Sequence, residues 1–146
     1  MLAELDIVFA SLHVSLRQPR EQVTQRLLNA IQNPHVDVIG HPTGRLIPDR
    51  EPADLDMEAV FSAAARSGVA LEISAHPERL DLNDIYARRA IELGITLSIN
   101  TDAHSPGELD LMHFGVSTAR RGWVEPKHVI NAWDTEKLLS WLRNRA

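Results

Sequence analysis

At 146 residues, with 44% hydrophobic and 24% charged positions, the chain has the composition of one globular domain and no bias toward disorder. Its net charge of −5 argues against gripping nucleic acid by bulk charge, while leaving room for a local basic patch. Cysteine is absent, so disulfides and thiolate metal sites are excluded and any metal must be held by nitrogen and oxygen.

The first ten residues carry two acids and no basic region, which fits neither a signal peptide nor a membrane span; a cytoplasmic protein is expected. Residues 5–12 are apolar and β-rich and lead to His13. Pro19 opens an amphipathic helix through Gln32, with Val23, Leu27, Leu28 and Ile31 on one face, and Asn33-Pro34 stops it. Residues 36–40 form a second short strand ending at His41-Pro42. The polar loop that follows, 43–52, is punctuated by Pro48 and Pro52 and is long for a plain connection. Asp54 or Asp56 caps the next helix, which turns Met57, Val60, Phe61 and Ala64 inward and ends at Gly68.

Residues 69–74 are the third strand, leading to Ala75-His76-Pro77. Asp81, with Asp84 three residues on, reads as the cap of a helix running to Leu93 and closed by Gly94. The fourth strand, 95–100, delivers Thr101-Asp102-Ala103-His104. If the strand continues, Asp102 and His104 point the same way and reach one ion together. Ser105-Pro106-x-Glu108 reads as a capping box, with helical stretches over 108–120 and 126–132. A last helix, capped by Asp134, spans 135–144.

This βα repeat of about 30 residues predicts an α/β fold with a parallel sheet of about four strands and flanking helices. In such sheets functional side chains gather at the carboxyl ends of the strands. His13, His41, His76 and the Asp102/His104 pair all fall there, a set that suits zinc, manganese or iron and metal-assisted hydrolysis. His76 is the weakest member, with loop-stabilising and substrate-facing roles competing with ligation. Glu72 lies inside a strand, as a minor candidate ligand. Arg17, Arg20, Arg45, Arg50 and Arg79 follow these positions and suggest a phosphate-bearing substrate. Arg45 in particular is expected on the same rim, four residues beyond His41. His35, His113 and His128 read as structural or surface residues. No Ser-His-Asp pattern, glycine-rich phosphate loop or dinucleotide fingerprint is present.

Three stretches carry a resemblance: His41-Pro42-Thr43-Gly44-Arg45-Leu46 after Val38-Ile39-Gly40; Ala75-His76-Pro77-Glu78-Arg79-Leu80-Asp81-Leu82 after Leu71-Glu72-Ile73-Ser74; and Asn100-Thr101-Asp102-Ala103-His104. They resemble the polymerase-and-histidinol-phosphatase (PHP) domain, more narrowly the one at the C-terminus of bacterial family X DNA polymerases. The likeness runs on through Arg121-Gly122-Trp123 and Leu139-Ser140-Trp141-Leu142. It implies a distorted (β/α)7 barrel with up to three zinc, manganese or iron ions, and a metal-dependent 3′–5′ exonuclease or related phosphoesterase acting on DNA 3′ ends in repair. On that resemblance His13, His41, Asp102 and His104 act through metal, while His76 moves to the substrate side with Arg45 and Arg79.

The family's opening His-x-His, a further early histidine and a glutamate have no counterpart here. Residues 1–146 therefore read as the C-terminal part of a PHP domain, a partial barrel without the polymerase domain. Four ligands satisfy one tetrahedral ion, not three, so a full trinuclear site is not expected. The expected partners are DNA 3′ ends or another phosphate ester, the missing N-terminal half of the domain, or a second copy through the open edge of the first strand. The alternatives are a histidinol-phosphate-type phosphomonoesterase and a catalytically silent structural remnant.

Overall fold

The computed structural model describes residues 2–145. Four strands, β1 (Phe9–Ala10), β2 (Val38–Ile39), β3 (Ala70–Ser74) and β4 (Leu97–Asn100), form one open sheet in the order β1-β2-β3-β4, every pair parallel. Helices α1 (Arg20–Ile31), α2 (Met57–Ser67) and α3 (Asp84–Glu92) connect them, and α4 (Met112–Arg121) and α5 (Thr135–Arg145) follow. Among the described residues, no helix is long and apolar enough to cross a membrane.

Alternation along the strands divides the sheet into two faces. Ile39, Leu71, Ile73, Leu97 and Ile99 pack with Val23, Leu27 and Ile31 of α1, Val60 and Phe61 of α2, Ala87 and Ala90 of α3, and Ala119 of α4. Fully burying each of the larger side chains contributes about 1.5–3 kcal/mol. Gly115 brings α4 close: a Cβ there would stand 2.6 Å from Ile99 Cγ2 and 2.7 Å from Ala75 Cβ. The opposite face is apolar at its amino end, where Val38 and Ala70 meet Ile130, Trp133, Leu138 and Trp141. Toward the carboxyl end it becomes polar, where Asn100 Nδ2 donates to both Glu72 Oε1 and Ser98 Oγ.

Both sheet edges are distinctive. At β4 the Asn131 amide imitates a strand, accepting the Ile99 N–H at 3.0 Å and donating to the Ile99 carbonyl at 2.7 Å. At β1 the outer side has no strand neighbour among the described residues, and Phe9 is 45% exposed.

Several local expectations are corrected. The strand expected over 5–12 is only Phe9–Ala10, because Leu5 and Ile7 find no apolar layer to cover them and Leu2–Glu4 turns into a 3-10 helix. Asp56 caps α2 through the Ala59 N–H, as read, but α3 is capped by Asn83, whose side chain accepts the Tyr86 N–H. Asp81 is a buried residue of the connecting loop instead. Residues 106–111 and two short segments within 126–132 are 3-10 rather than α-helical. Glu108 receives the Ser105 hydroxyl and the His104 N–H, without the reciprocal backbone cap of a capping box.

Candidate functional site at the carboxyl ends of the strands

Parallel register carries the segments following β1 to β4 to one edge of the sheet. The His13 and His41 rings meet edge-on, with centroids 5.0 Å apart. Arg79, from the β3–α3 loop, places Nε 3.0 Å from Asp102 Oδ2. Burial, reinforced by the Arg79 charge and opposed by Asp102, lowers the His41 pKa to about 4, so its ring is neutral at physiological pH.

Two buried carboxylates hold the His41 turn. Glu72 Oε2 accepts the backbone N–H of His41 at 2.6 Å, while its Oε1 accepts from Asn100 Nδ2 at 2.9 Å. Asp81 Oδ2 accepts the backbone N–H groups of Thr43 and Gly44, each at 2.9 Å. Burial raises both carboxyl pKa values, that of Asp81 to about 6, against the pull of these hydrogen bonds. Gly44 is required here: its φ is +65°, and a Cβ would press to 2.9 Å from Leu16 Cδ1. His41 (φ 29°) and Asp102 (φ 54°) also occupy the left-handed region, an unusual conformation for side chains that bear chemistry.

The remaining expected site residues are dispersed. The strand ends at Asn100, and left-handed Asp102 breaks the alternation that would have aligned it with His104. His104 is 81% exposed, with Nδ1 4.0 Å from Glu108 Oε2. His76 begins the tight turn 76–80, its carbonyl accepting the N–H groups of Arg79 and Leu80. Arg45 donates Nε and Nη2 to the carbonyls of Arg79 and Leu80, which braces the loop carrying Arg79. Arg50 bonds the Gly44 carbonyl, and Arg20 pairs with Asp54. Arg17, Arg20 and Arg50 line a groove of about 650 Å³ together with Asp49, Glu51 and Asp54, so the groove carries both signs of charge.

The donor set fits a divalent metal in part. His13 and His41 supply two close imidazoles, and His41 Nδ1 is buried without a hydrogen-bond partner, as a waiting ligand atom would be. Asp102 is engaged by Arg79, and His104 points to Glu108. Among the described residues, no group of three or more His, Asp or Glu side chains is arranged to hold an ion.

The chain is 46% identical, over 98% of its length, to the DNA polymerase/3′-5′ exonuclease PolX of Bacillus subtilis. It is a homologue of part of PolX. The chain spans 25% of that relative, so the resemblance to family X polymerases holds for about a quarter of such a protein. It is also 29% identical to a probable phosphatase of Thermoanaerobacter sp. (strain X514), covering 99% of this chain and 60% of the relative. A probable phosphatase of Caldanaerobacter subterraneus is 37% identical over 71% of this chain and 42% of the relative. No protein-family model matches the chain.

Glu72 and Asp81 brace the backbone of the His41 turn, and Asp81 is not the helix cap expected of it. The available signal for Glu72 was a carboxylate inside an otherwise apolar strand; for Asp81 nothing local pointed to Thr43, 38 residues away.

Proposed function

We propose that the chain is the phosphoesterase part of a PolX-type protein, a C-terminal PHP portion that processes DNA 3′ ends in repair within the cytoplasm. The observation that carries this reading is the contact of His13 with neutral His41, whose buried Nδ1 lacks a partner, at the edge where Arg79 and Asp102 also meet. In this proposal His13, His41, Asp102 and His104 contribute to a divalent metal site, for manganese, zinc or iron. The bound ion would supply Lewis-acid activation of a phosphoester and its attacking water. His41 offers a neutral ring without needing to lose a proton at physiological pH. Glu72 and Asp81 orient it by fixing the backbone at 41, 43 and 44. Arg79 and His76 serve the substrate phosphate, and Arg45 supports Arg79 from behind. The remainder of the ligand set comes from outside these residues, from the N-terminal half of the domain or from a second copy across the β1 edge.

A second reading is favoured by the likeness to probable phosphatases. In it the substrate is a small phosphomonoester such as histidinol phosphate. An assay with added Mn²⁺ on a 3′-recessed DNA duplex and on histidinol phosphate separates the two. Metal-dependent shortening of the duplex, lost in His41→Ala, supports the exonuclease. Hydrolysis of the monoester alone supports the second reading. Inactivity on both, with and without the supplied N-terminal half, rejects both and leaves a structural remnant.

A further inference from the structure

We propose that Trp123 is a stacking platform for an unpaired nucleobase, the centre of an accessory contact for single-stranded nucleic acid on the α3–α4 surface. Such a contact needs no metal ion and holds whether or not the strand ends are catalytic.

Trp123 occupies a backbone position that favours glycine. α4 ends with the paired bonds of a left-handed helix stop: the Trp123 N–H reaches the Arg120 carbonyl at 3.1 Å, and the Val124 N–H reaches the Ala119 carbonyl at 3.0 Å. The left-handed residue of that stop is Trp123, at φ 59°. Glycine stands one position earlier because the approach to α3 demands it: a Cβ on Gly122 would press to 2.7 Å from the Asp84 carbonyl oxygen. Trp123 therefore carries backbone strain, and at 71% exposure its indole gains little from burial. The Arg88 guanidinium, 5.9 Å from the ring centroid, offsets only part of this at an exposed site. A partner bound through the ring supplies the rest.

The surroundings identify that partner. The chain is acidic overall, at −5, yet three arginines gather here: Arg88 over the ring, and Arg120 and Arg121 in the helical turn leading into it. The neighbouring carboxylates are two, and each is already paired, Glu92 with Arg88 and Asp84 with Arg121. A surplus of guanidinium beside a solvent-open indole suits a nucleic-acid strand, whose bases stack on the ring while its phosphates meet the arginines. The base must be unpaired, because duplex bases already stack on one another. This is the local basic patch for which a net-negative chain leaves room.

Fluorescence anisotropy of a fluorescein-labelled oligothymidylate, titrated with the chain in EDTA at low salt, tests the proposal without metal or activity. Wild type is expected to bind, and Trp123→Gly to bind about ten-fold more weakly, the loss of one stacked base. Trp123→Phe keeps a ring and stays within a few-fold of wild type. Arg120→Gln weakens binding and reduces the slope of log affinity against log salt by about 0.7, one phosphate contact to a single strand. Thermal melting separates binding from a structural role: Trp123→Gly, relieved of its left-handed strain, should melt close to or above wild type. Unchanged affinity in Trp123→Gly overturns the proposal, as does absence of wild-type binding at about 100 μM protein, the weak end of non-specific nucleic-acid binding. A wild-type dimer that Trp123→Gly separates, with no oligonucleotide bound, makes the ring an anchor for a second copy and overturns it as well. Should Trp123→Gly fail to fold, the NMR signal of the wild-type Trp123 Nε1–H decides: an upfield shift on adding the oligonucleotide supports stacking, and an unchanged signal overturns it. Catalytic inactivity on DNA leaves this binding measurement untouched, so the two readings fail separately.

Discussion

Glu72 Oε2 accepts the backbone N–H of His41 at 2.6 Å, joining the middle of β3 to the turn after β2. The bond fixes a peptide whose residue lies at φ 29° and whose ring has an unpartnered Nδ1. Glu72→Ala strands two donors, the His41 N–H and the Asn100 amide. It should cost about 1–3 kcal/mol for each buried donor left unsatisfied. Glu72→Gln keeps the acceptor for His41 and lets the Asn100 amide flip, so its loss should be smaller. Urea denaturation of both variants checks the order; an equal loss in the two would show that the side chain acts through volume rather than hydrogen bonding.

Asp81 gives the fold a distinctive pH dependence. Burial raises its pKa from 3.8 to about 6, so the folded state holds the proton more tightly than the unfolded chain. Its favourable contribution is complete below about 3.8 and lost as pH rises through about 6. Asp81→Asn mimics the protonated form and still accepts the Thr43 and Gly44 N–H groups through its carbonyl oxygen. Its stability relative to wild type should therefore improve between pH 4 and 7, measured by melts at both values. A flat difference would contradict the raised pKa.

Much of this was readable along the chain. Proline and glycine punctuation marks the helices, and α2 buries Met57, Val60, Phe61 and Ala64 as its apolar spacing requires. The strand-end positions of His13 and His41 follow from the βα rhythm alone. What local sequence does not encode is the angle at which a residue leaves its strand. Left-handed Asp102 parts from His104, and no two-residue pattern reports a positive φ. Long-range pairings were equally hidden, since Arg45 meets the carbonyls of Arg79 and Leu80 across 34 and 35 residues. A charged side chain near a histidine reads as substrate-facing until its partners in the fold are known.

Arg45 consequently carries a revised expectation. Its two donors bond neighbouring carbonyls in a fork geometry, so Arg45→Ala should destabilise by about 1–3 kcal/mol. Arg45→Lys should recover little of that, because an ammonium cannot reproduce the planar fork. Thermal melts of both variants are the check. Wild-type stability in Arg45→Ala would return the residue to a purely substrate-facing role.

The His41 ring should protonate at about 4, well below the ordinary 6.5, with burial as the larger cause and the Arg79 charge as the smaller. The stability it contributes is present above 6.5 and lost as pH falls toward the folded value. An NMR titration of the ring resonances reads this directly. In Arg79→Gln the midpoint should rise only slightly, since desolvation remains; a return to the ordinary histidine range would make Arg79 the dominant cause.

The central claim is that His13 and His41 form the core of a divalent metal site. It is tested most directly by X-ray absorption on the Zn²⁺-loaded chain, compared with His13→Ala and His41→Ala. Imidazole nitrogens are expected at about 2.0–2.1 Å from the ion, with loss of one imidazole and a marked fall in affinity in each variant. Zn²⁺ bound with unchanged affinity and coordination after both substitutions would contradict it.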